Sequence, residues 1–247
     1  MQEEVLSVNH LSVGFREGRK SWVTVVRDVS FSLKRGSVLC IVGESGCGKS
    51  VTANSIIRLL PKEQGKILSG SVRLEGRELT TLSDREMRSV RGSGIAMIFQ
   101  DPLTALNPVK TIADQMVEML CANRKLTRPE ALSLALEMLV KVGIPEPERR
   151  MKEYPFQLSG GMIQRVMIAM ALSVEPRVLI ADEPTTALDV TIQAQVLDVM
   201  RKLRADSSMS ILMITHDMGV VAEMAEDVLV MNAGEMVEYG TVEQILE

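Results

Sequence analysis

Val38-Leu39-Cys40-Ile41-Val42-Gly43-Glu44-Ser45-Gly46-Cys47-Gly48-Lys49-Ser50 is the stretch whose reading decides the fold. Its first five residues are a continuous apolar run, the pattern of a strand buried on both faces. The next eight fit G-x-x-x-x-G-K-[ST] at each fixed position, and Val51 to Leu60 reads as a helix with Pro61 marking its end. Strand, glycine loop and helix together make a phosphate-binding device. Gly43, Gly46 and Gly48 permit backbone conformations that a Cβ forbids, so successive N–H groups, including those of Glu44, Ser45 and Cys47, can turn toward an anion. The positive end of the helix dipole adds to them. Lys49 brings a full charge to the β- and γ-phosphates, and the Ser50 hydroxyl is placed for Mg²⁺. A Gly-rich turn with a chance lysine would not carry these flanks. The stretch is read as binding a nucleoside triphosphate.

Working outward, Val5 to Phe15 and Val23 to Leu33 carry β-type patterning, with Arg35-Gly36 as a turn before the buried strand. Ser71 to Leu74 reads as a strand with a hairpin turn at Glu75-Gly76-Arg77, and Gly94 to Gln100 as a buried strand ending in a polar residue. From Ile112 to about Val142 the pattern is helical, interrupted at Arg128-Pro129, where Thr127 can cap a new helix; Ile144-Pro145-Glu146-Pro147 closes that part. After residue 176 strands (Val178–Ala181, Ser210–Thr215, Asp227–Met231) alternate with helices (Ile192–Leu203, Met218–Ala225), which predicts an α/β architecture with a mostly parallel sheet.

Two further pieces belong with the loop. Val178 to Ala181 ends in Asp182-Glu183, so an apolar strand delivers two acids to a sheet edge. Asp182 would hold Mg²⁺, directly or through water, and Glu183 would accept a proton from an attacking water. Taken alone they could equally be solvated acids at a strand end. Leu158-Ser159-Gly160-Gly161-Met162 opens an apolar-faced helix and is a second anion-binding device, with a hydroxyl and free N–H groups at a helix start. One compact domain rarely needs two such devices for one nucleotide, so the second is read as serving the nucleotide of a partner chain.

The rest of the composition sets bounds. A chain of 247 residues with 46% hydrophobic and 24% charged residues has ample core for one large domain or two small ones. A net charge of −4 removes any bulk electrostatic case for nucleic acid or an anionic membrane. Three cysteines without metal spacing point to a reducing compartment, with Cys47 a loop filler whose thiol reagents could reach. The acidic N-terminus does not read as a signal peptide, and no run approaches the roughly 18 apolar residues that span a bilayer. The 17 methionines read as adaptable core filler, not as a metal site.

In motif order and over essentially the whole chain, the sequence resembles the ATP-binding subunit of an ATP-binding-cassette transporter. Leu158 to Met162 resembles the family signature, Thr186-Ala187-Leu188-Asp189 its D-loop, Gln100 its Q-loop glutamine and His216 its switch histidine. Gln100 to Pro108 and Leu158 to Leu172 are similar to the peptide and nickel importer branch. The resemblance implies a P-loop NTPase: a RecA-like core with a parallel sheet, an N-terminal antiparallel β-subdomain and a helical signature subdomain. It forms one domain over 1–247, with the helical insertion at about 103–160 between segments 1–102 and 161–247. It implies ATP and Mg²⁺ as ligands and a dimer that sandwiches two ATP molecules. Gln100 would touch Mg²⁺ and the water and sense the permease; His216 would meet the γ-phosphate and hold Glu183 in register. Ser159, Gly160 and Gly161 would act on the partner's nucleotide, and Asp189 would line the dimer seam. The implied partners are two transmembrane permease subunits, a second cassette (a paralogue or another copy), and an extracellular substrate-binding protein indirectly, with no nucleic acid. The implied place is peripheral, on the cytoplasmic face of the membrane.

Several positions depart from the family pattern. Met162 stands where Gln is commoner, so signature contacts rest on Ser159 and backbone N–H groups. Val51 follows Ser50 where Thr is frequent, leaving only a backbone contact to the α-phosphate. Phe15 is favoured as the adenine-stacking ring, with Trp22 the alternative. The chain stops at Glu247, where many peptide-importer subunits that it resembles continue into a Cys-containing extension; this leans toward a nickel-type or short subunit, or a truncated chain. Cargo is left open between peptides and nickel. A soluble cassette ATPase of DNA repair or translation, or a non-hydrolysing module, are the rival classes.

Overall fold

The computed structural model describes residues 3–18, 21–186 and 188–246; Met1, Gln2, Arg19, Lys20, Ala187 of the Thr186–Asp189 segment, Glu247 and the side chain of Leu103 lie outside the described residues. In chain order, β1 (Glu4–Glu17), β2 (Ser21–Lys34) and β3 (Val38–Val42) lead into α1 (Lys49–Ile56). Then come β4 (Gly65–Leu74), β5 (Arg77–Glu78), α2 (Asp84–Val90) and β6 (Ile95–Ile98). Helices α3 (Pro102–Ala105), α4 (Ile112–Arg124), α5 (Arg128–Lys141), α6 (Pro147–Arg150) and α7 (Gly160–Ser173) follow, with a 3₁₀ turn at Pro155–Gln157. The chain closes with β7 (Val178–Asp182), α8 (Val190–Ser207), β8 (Ser210–Ile214), α9 (Met218–Met224), β9 (Asp227–Asn232), β10 (Glu235–Thr241) and α10 (Val242–Leu246).

Two sheets result. The first is antiparallel, in the order β2-β1-β4-β5; the second runs β10-β9-β3-β8-β7-β6, parallel except for the edge strand β10. The alternation of side chains along the parallel strands divides the interior in two. Leu39, Ile41, Ile180, Leu212 and Leu229 point to one core, shared with Ala53 and Ile56 of α1 and with β1, β2 and β4. Cys40, Leu179, Ala181, Ile211 and Met213 point to the other, shared with α4, α5, α7 and α8. Met116, Met138, Met167, Met200, Met209 and Met224 are buried there, so methionine fills core as its composition suggested. Among the described residues no helix is long and apolar enough to cross a membrane.

Several elements differ from the sequence expectation, four of them with a clear physical cause or signal. The helix after the loop stops at Ile56, not Leu60. Arg58 turns left-handed (φ +54°), the Leu59 N–H reaches back to Asn54 O, and Arg91 donates to Ile57 O and Arg58 O, sealing the last carbonyls from a distant segment. β4 begins at Gly65 instead of Ser71, paired along β1 through bulges that no alternation in residues 65–70 announces. β10 was not anticipated; it follows a turn at Ala233-Gly234, both at positive φ. α2 was also missed, although Ser83 and Glu86 form its capping box at the S-x-x-E spacing.

Candidate active site

The order β3-β8-β7-β6 places four parallel strand ends side by side, and each carries one piece of the site. β3 opens into the phosphate loop, β8 leads to His216, β7 ends in Asp182-Glu183, and β6 leads to Gln100. Ligands of open α/β sheets bind at this edge, beyond the C-terminal ends of the strands.

The loop needs its glycines for stated reasons. Gly43 has φ +147°, and a Cβ there would lie 2.1 Å from Met231 O; Gly48 caps α1 at φ +105° without any side-chain cap, leaving the first N–H groups of the helix to a ligand. Lys49 is buried and its Nζ donates to Gly43 O at 2.7 Å and Glu44 O at 2.8 Å, so the ammonium is held at the mouth of the loop. Glu44, Ser45 and Gly46 are exposed around it. Cys47 is buried, with Sγ 3.8 Å from that ammonium, which makes it filler that reagents do not readily reach. Val51 packs against the core, so only its backbone faces the loop's ligand.

Ser50 Oγ donates to Asp182 Oδ1 at 3.1 Å. Burial raises the affinity of Asp182 for a proton, with the neighbouring charge of Glu183 adding to this and the Ser50 hydrogen bond opposing it. A buried carboxylate beside a hydroxyl fits a hard divalent cation such as Mg²⁺, which takes one or two carboxylates and leaves its other positions to water and phosphate oxygens. Among the described residues no cluster of three His, Cys, Asp or Glu offers a fuller metal cage.

Glu183 accepts from two side-chain donors and has a histidine nitrogen close by. Gln100 Nε2 reaches Oε2 at 3.2 Å, Thr186 Oγ1 reaches the same oxygen at 3.1 Å, and His216 Nδ1 lies 3.4 Å from Oε1. His216 lies beside Glu183, where the resemblance puts it, whereas Gln100, expected to touch Mg²⁺ and the attacking water, donates to Glu183. Thr186 was missed as a partner, because a hydroxyl three residues past an acid carries no spacing signal of its own. The backbone of Glu183 sits at φ +48°, with its N–H bonded to Ile214 O. A cleft of about 470 Å³ runs past Ser50, Asn54, Gln100, Thr104 and Asp182.

Ser159 caps α7, its Oγ accepting from Met162 N at 3.4 Å; Ser159 and Gly160 are exposed. Asp189 caps α8 and accepts from Ile192 N at 3.1 Å. Phe15, half-buried, lies across from Gly65 on β4 and Val23 on β2, two residues from Val25, whose carbonyl approaches Gly48. Trp22 is occupied on one face by Lys66 Nζ, 4.1 Å from the ring centroid.

A glycine cradle, a buried hydroxyl–carboxylate pair and a polarised second carboxylate define a P-loop ATPase cassette. The ABC transporter family model matches residues 26–186. The dipeptide transport ATP-binding protein DppD of Bacillus subtilis is 52% identical over 98% of this chain and 72% of its own length. The glutathione import ATP-binding protein GsiA of Salmonella choleraesuis is 54% identical, again over 98% of this chain, and the peptidoglycan transport ATP-binding protein YejF of Agrobacterium fabrum 52%. The chain spans 40% of the former and 44% of the latter. The ATP-binding cassette MJ0796, solved as a dimer in a post-hydrolysis state bound to ADP and Pi, superimposes with a TM-score of 0.85 at 27% identity, covering 96% of this chain and 98% of that one. The chain belongs to the ABC transporter family, as one of its ATP-binding, ATP-hydrolysing cassettes.

Proposed function

We propose that this cassette energises the import of peptides through membrane permeases, docked at the cytoplasmic face of the membrane. The observation that carries the cargo class is the identity of 52–54% over 98% of the chain with proteins named for dipeptide, glutathione and peptidoglycan transport. None of these supports a soluble role in DNA repair or translation. Nickel, the other cargo of the branch, has no counterpart in those names.

In this reading Lys49 and the N–H groups of the loop bind the β- and γ-phosphates, and Phe15 stacks on adenine. Ser50 and Asp182 would hold Mg²⁺, which when bound neutralises phosphate charge. Glu183 takes the proton of the in-line water, and Gln100 and His216 orient it. Ser159, Gly160 and Gly161 close on the nucleotide of a second cassette, with Asp189 at the seam. Residues 103–160 form the helical unit that meets the permeases. Support for that last contact comes from an apolar groove of about 290 Å³ where Met119 of this unit meets Leu59, Met97, Phe99, Met167 and Met170 of the adjoining segments. Flexible methionines suit a surface that receives a partner's helix.

The test is extraction of the chain from its native membrane in mild detergent, followed by identification of what copurifies and assay of ATP hydrolysis with peptides or nickel. Two permeases, a second cassette and stimulation by peptides are expected. Stimulation by nickel alone would move the cargo to metal, and recovery without membrane partners would remove the transport reading.

A further inference from the structure

Gln164 lies on the first turns of α7, the helix that Ser159 caps, and is 1% exposed. Its Nε2 donates to Pro184 O, and its Oε1 has no partner among the described residues. A buried amide with one orphaned acceptor carries a desolvation cost, and only its single hydrogen bond, to the carbonyl of the buried Pro184, offsets it. The hydrogen bond it does make is therefore the feature to explain. Pro184 follows Glu183, whose φ of +48° is a conformation that persists only when its surroundings over-determine it. The Glu183 N–H to Ile214 O bond fixes that turn from β8 on one side; the Gln164 amide fixes it from α7 on the other.

Resting on the proposed base role of Glu183 and the proposed trans role of Ser159, we infer that Gln164 is a positioning residue that ties the signature end of α7 to the catalytic turn. A shift of α7 on meeting the partner's nucleotide is carried through the amide to Pro184 and sets the Glu183 carboxylate in its own site. The two nucleotide sites of a dimer are thereby linked through one side chain that touches neither.

The test is Gln164→Met, which keeps length and volume and removes the N–H donor, with Gln164→Leu as a second apolar replacement, both in the assembled complex. The expected result, measured where both variants are fully folded, is a modest fall in melting temperature because Pro184 O loses its donor, a KM for ATP within about twofold, and a kcat reduced about tenfold or more. Cooperativity in ATP should fall toward a Hill coefficient of about 1, because the link between sites is cut. Unchanged kcat overturns the inference. So does a Hill coefficient that stays at the parent's value in both folded variants, because loss of a packing residue alone would leave the coupling between sites intact. Glu183→Gln is measured alongside: if it hydrolyses ATP normally, the base reading fails, whereas its loss of turnover beside a fully active Gln164→Met would remove only the role of Gln164.

Discussion

Glu183 occupies backbone space that a glycine would enter more easily, and the chain nevertheless places a glutamate there. This turn places the carboxylate where Gln100 and Thr186 donate to it and His216 lies 3.4 Å away, the position from which it would take a proton from water under the proposed mechanism. Glu183→Gln retains size and most of these contacts while losing the basic oxygen. We expect ATP binding close to the parent's and turnover lower by about 10²- to 10⁴-fold, the span that general base catalysis supplies; steady phosphate-release assays and nucleotide titration separate the two effects. Lys49→Ala is the complement. It removes the buried ammonium now held by Gly43 O and Glu44 O, and the charge-assisted bonds it would make to phosphates. Binding should weaken about tenfold to a hundredfold, from about 1.5 to 3 kcal/mol for hydrogen bonds to a charged group; equilibrium titration with a fluorescent ATP analogue reads it. The acids and the lysine were legible because their types and spacing encode the chemistry locally. The positive φ of Glu183, the Thr186 hydroxyl and the Gln164 amide were not, because each acquires meaning only from a strand or helix far away in sequence.

At the scale of elements, legibility followed the source of each boundary. Thr127 with Glu130 marks the start of α5 within four residues, and the structure has that capping pair, Thr127 N donating to Glu130 Oε2 at 2.8 Å. The end of α1 depends instead on Arg91, 33 residues beyond the carbonyl of Arg58 that it caps. α2 carries its own signal in Ser83 and Glu86. Ser83→Ala should cost about 1 kcal/mol of stability, the usual worth of such a cap, read as a shift in the denaturant midpoint with unchanged slope. The hairpin of β4 and β5 is closed by Glu78, which receives Ser71 Oγ, Thr80 Oγ1, Thr80 N and Val72 N. Burial alone would raise its pKa, but these four bonds hold it down at about 2, against an ordinary 4.5. The folded value lies below the unfolded one, so the contribution of Glu78 is complete above about pH 4.5 and is lost as pH falls through about 2. Glu78→Gln should lower stability by about 1 to 3 kcal/mol at neutral pH, for bonds to a charged acceptor. The gap between parent and variant should narrow only below pH 4.5, as urea unfolding at several pH values would measure.

At the scale of the whole molecule, the phosphate loop and the Ser159–Gly161 segment proposed to complete it in a partner sit on different elements and face solvent separately. The phosphate loop opens beside β3, while Ser159 and Gly160 lie exposed at the start of α7. If one chain supplies the loop and another the signature, damage to the two halves must complement in trans. Lys49→Ala disables the loop of both sites in a dimer of identical chains, and Ser159→Arg disables the signature of both. A mixed dimer of the two variants gathers both lesions into one site and leaves the other intact. Random mixing makes about half the dimers mixed, each with one working site of two, so about a quarter of the parent's sites should return under two-fold symmetry. Each variant alone should be nearly inactive. Recovery toward that quarter, measured as phosphate release after mixing equal amounts, establishes both the trans site and a dimer of identical chains. If no activity returns on mixing but each lesion still halves or abolishes turnover when introduced into the complex taken from membranes, the second cassette is a different chain. In that complex the loop of this chain meets a signature it does not itself encode.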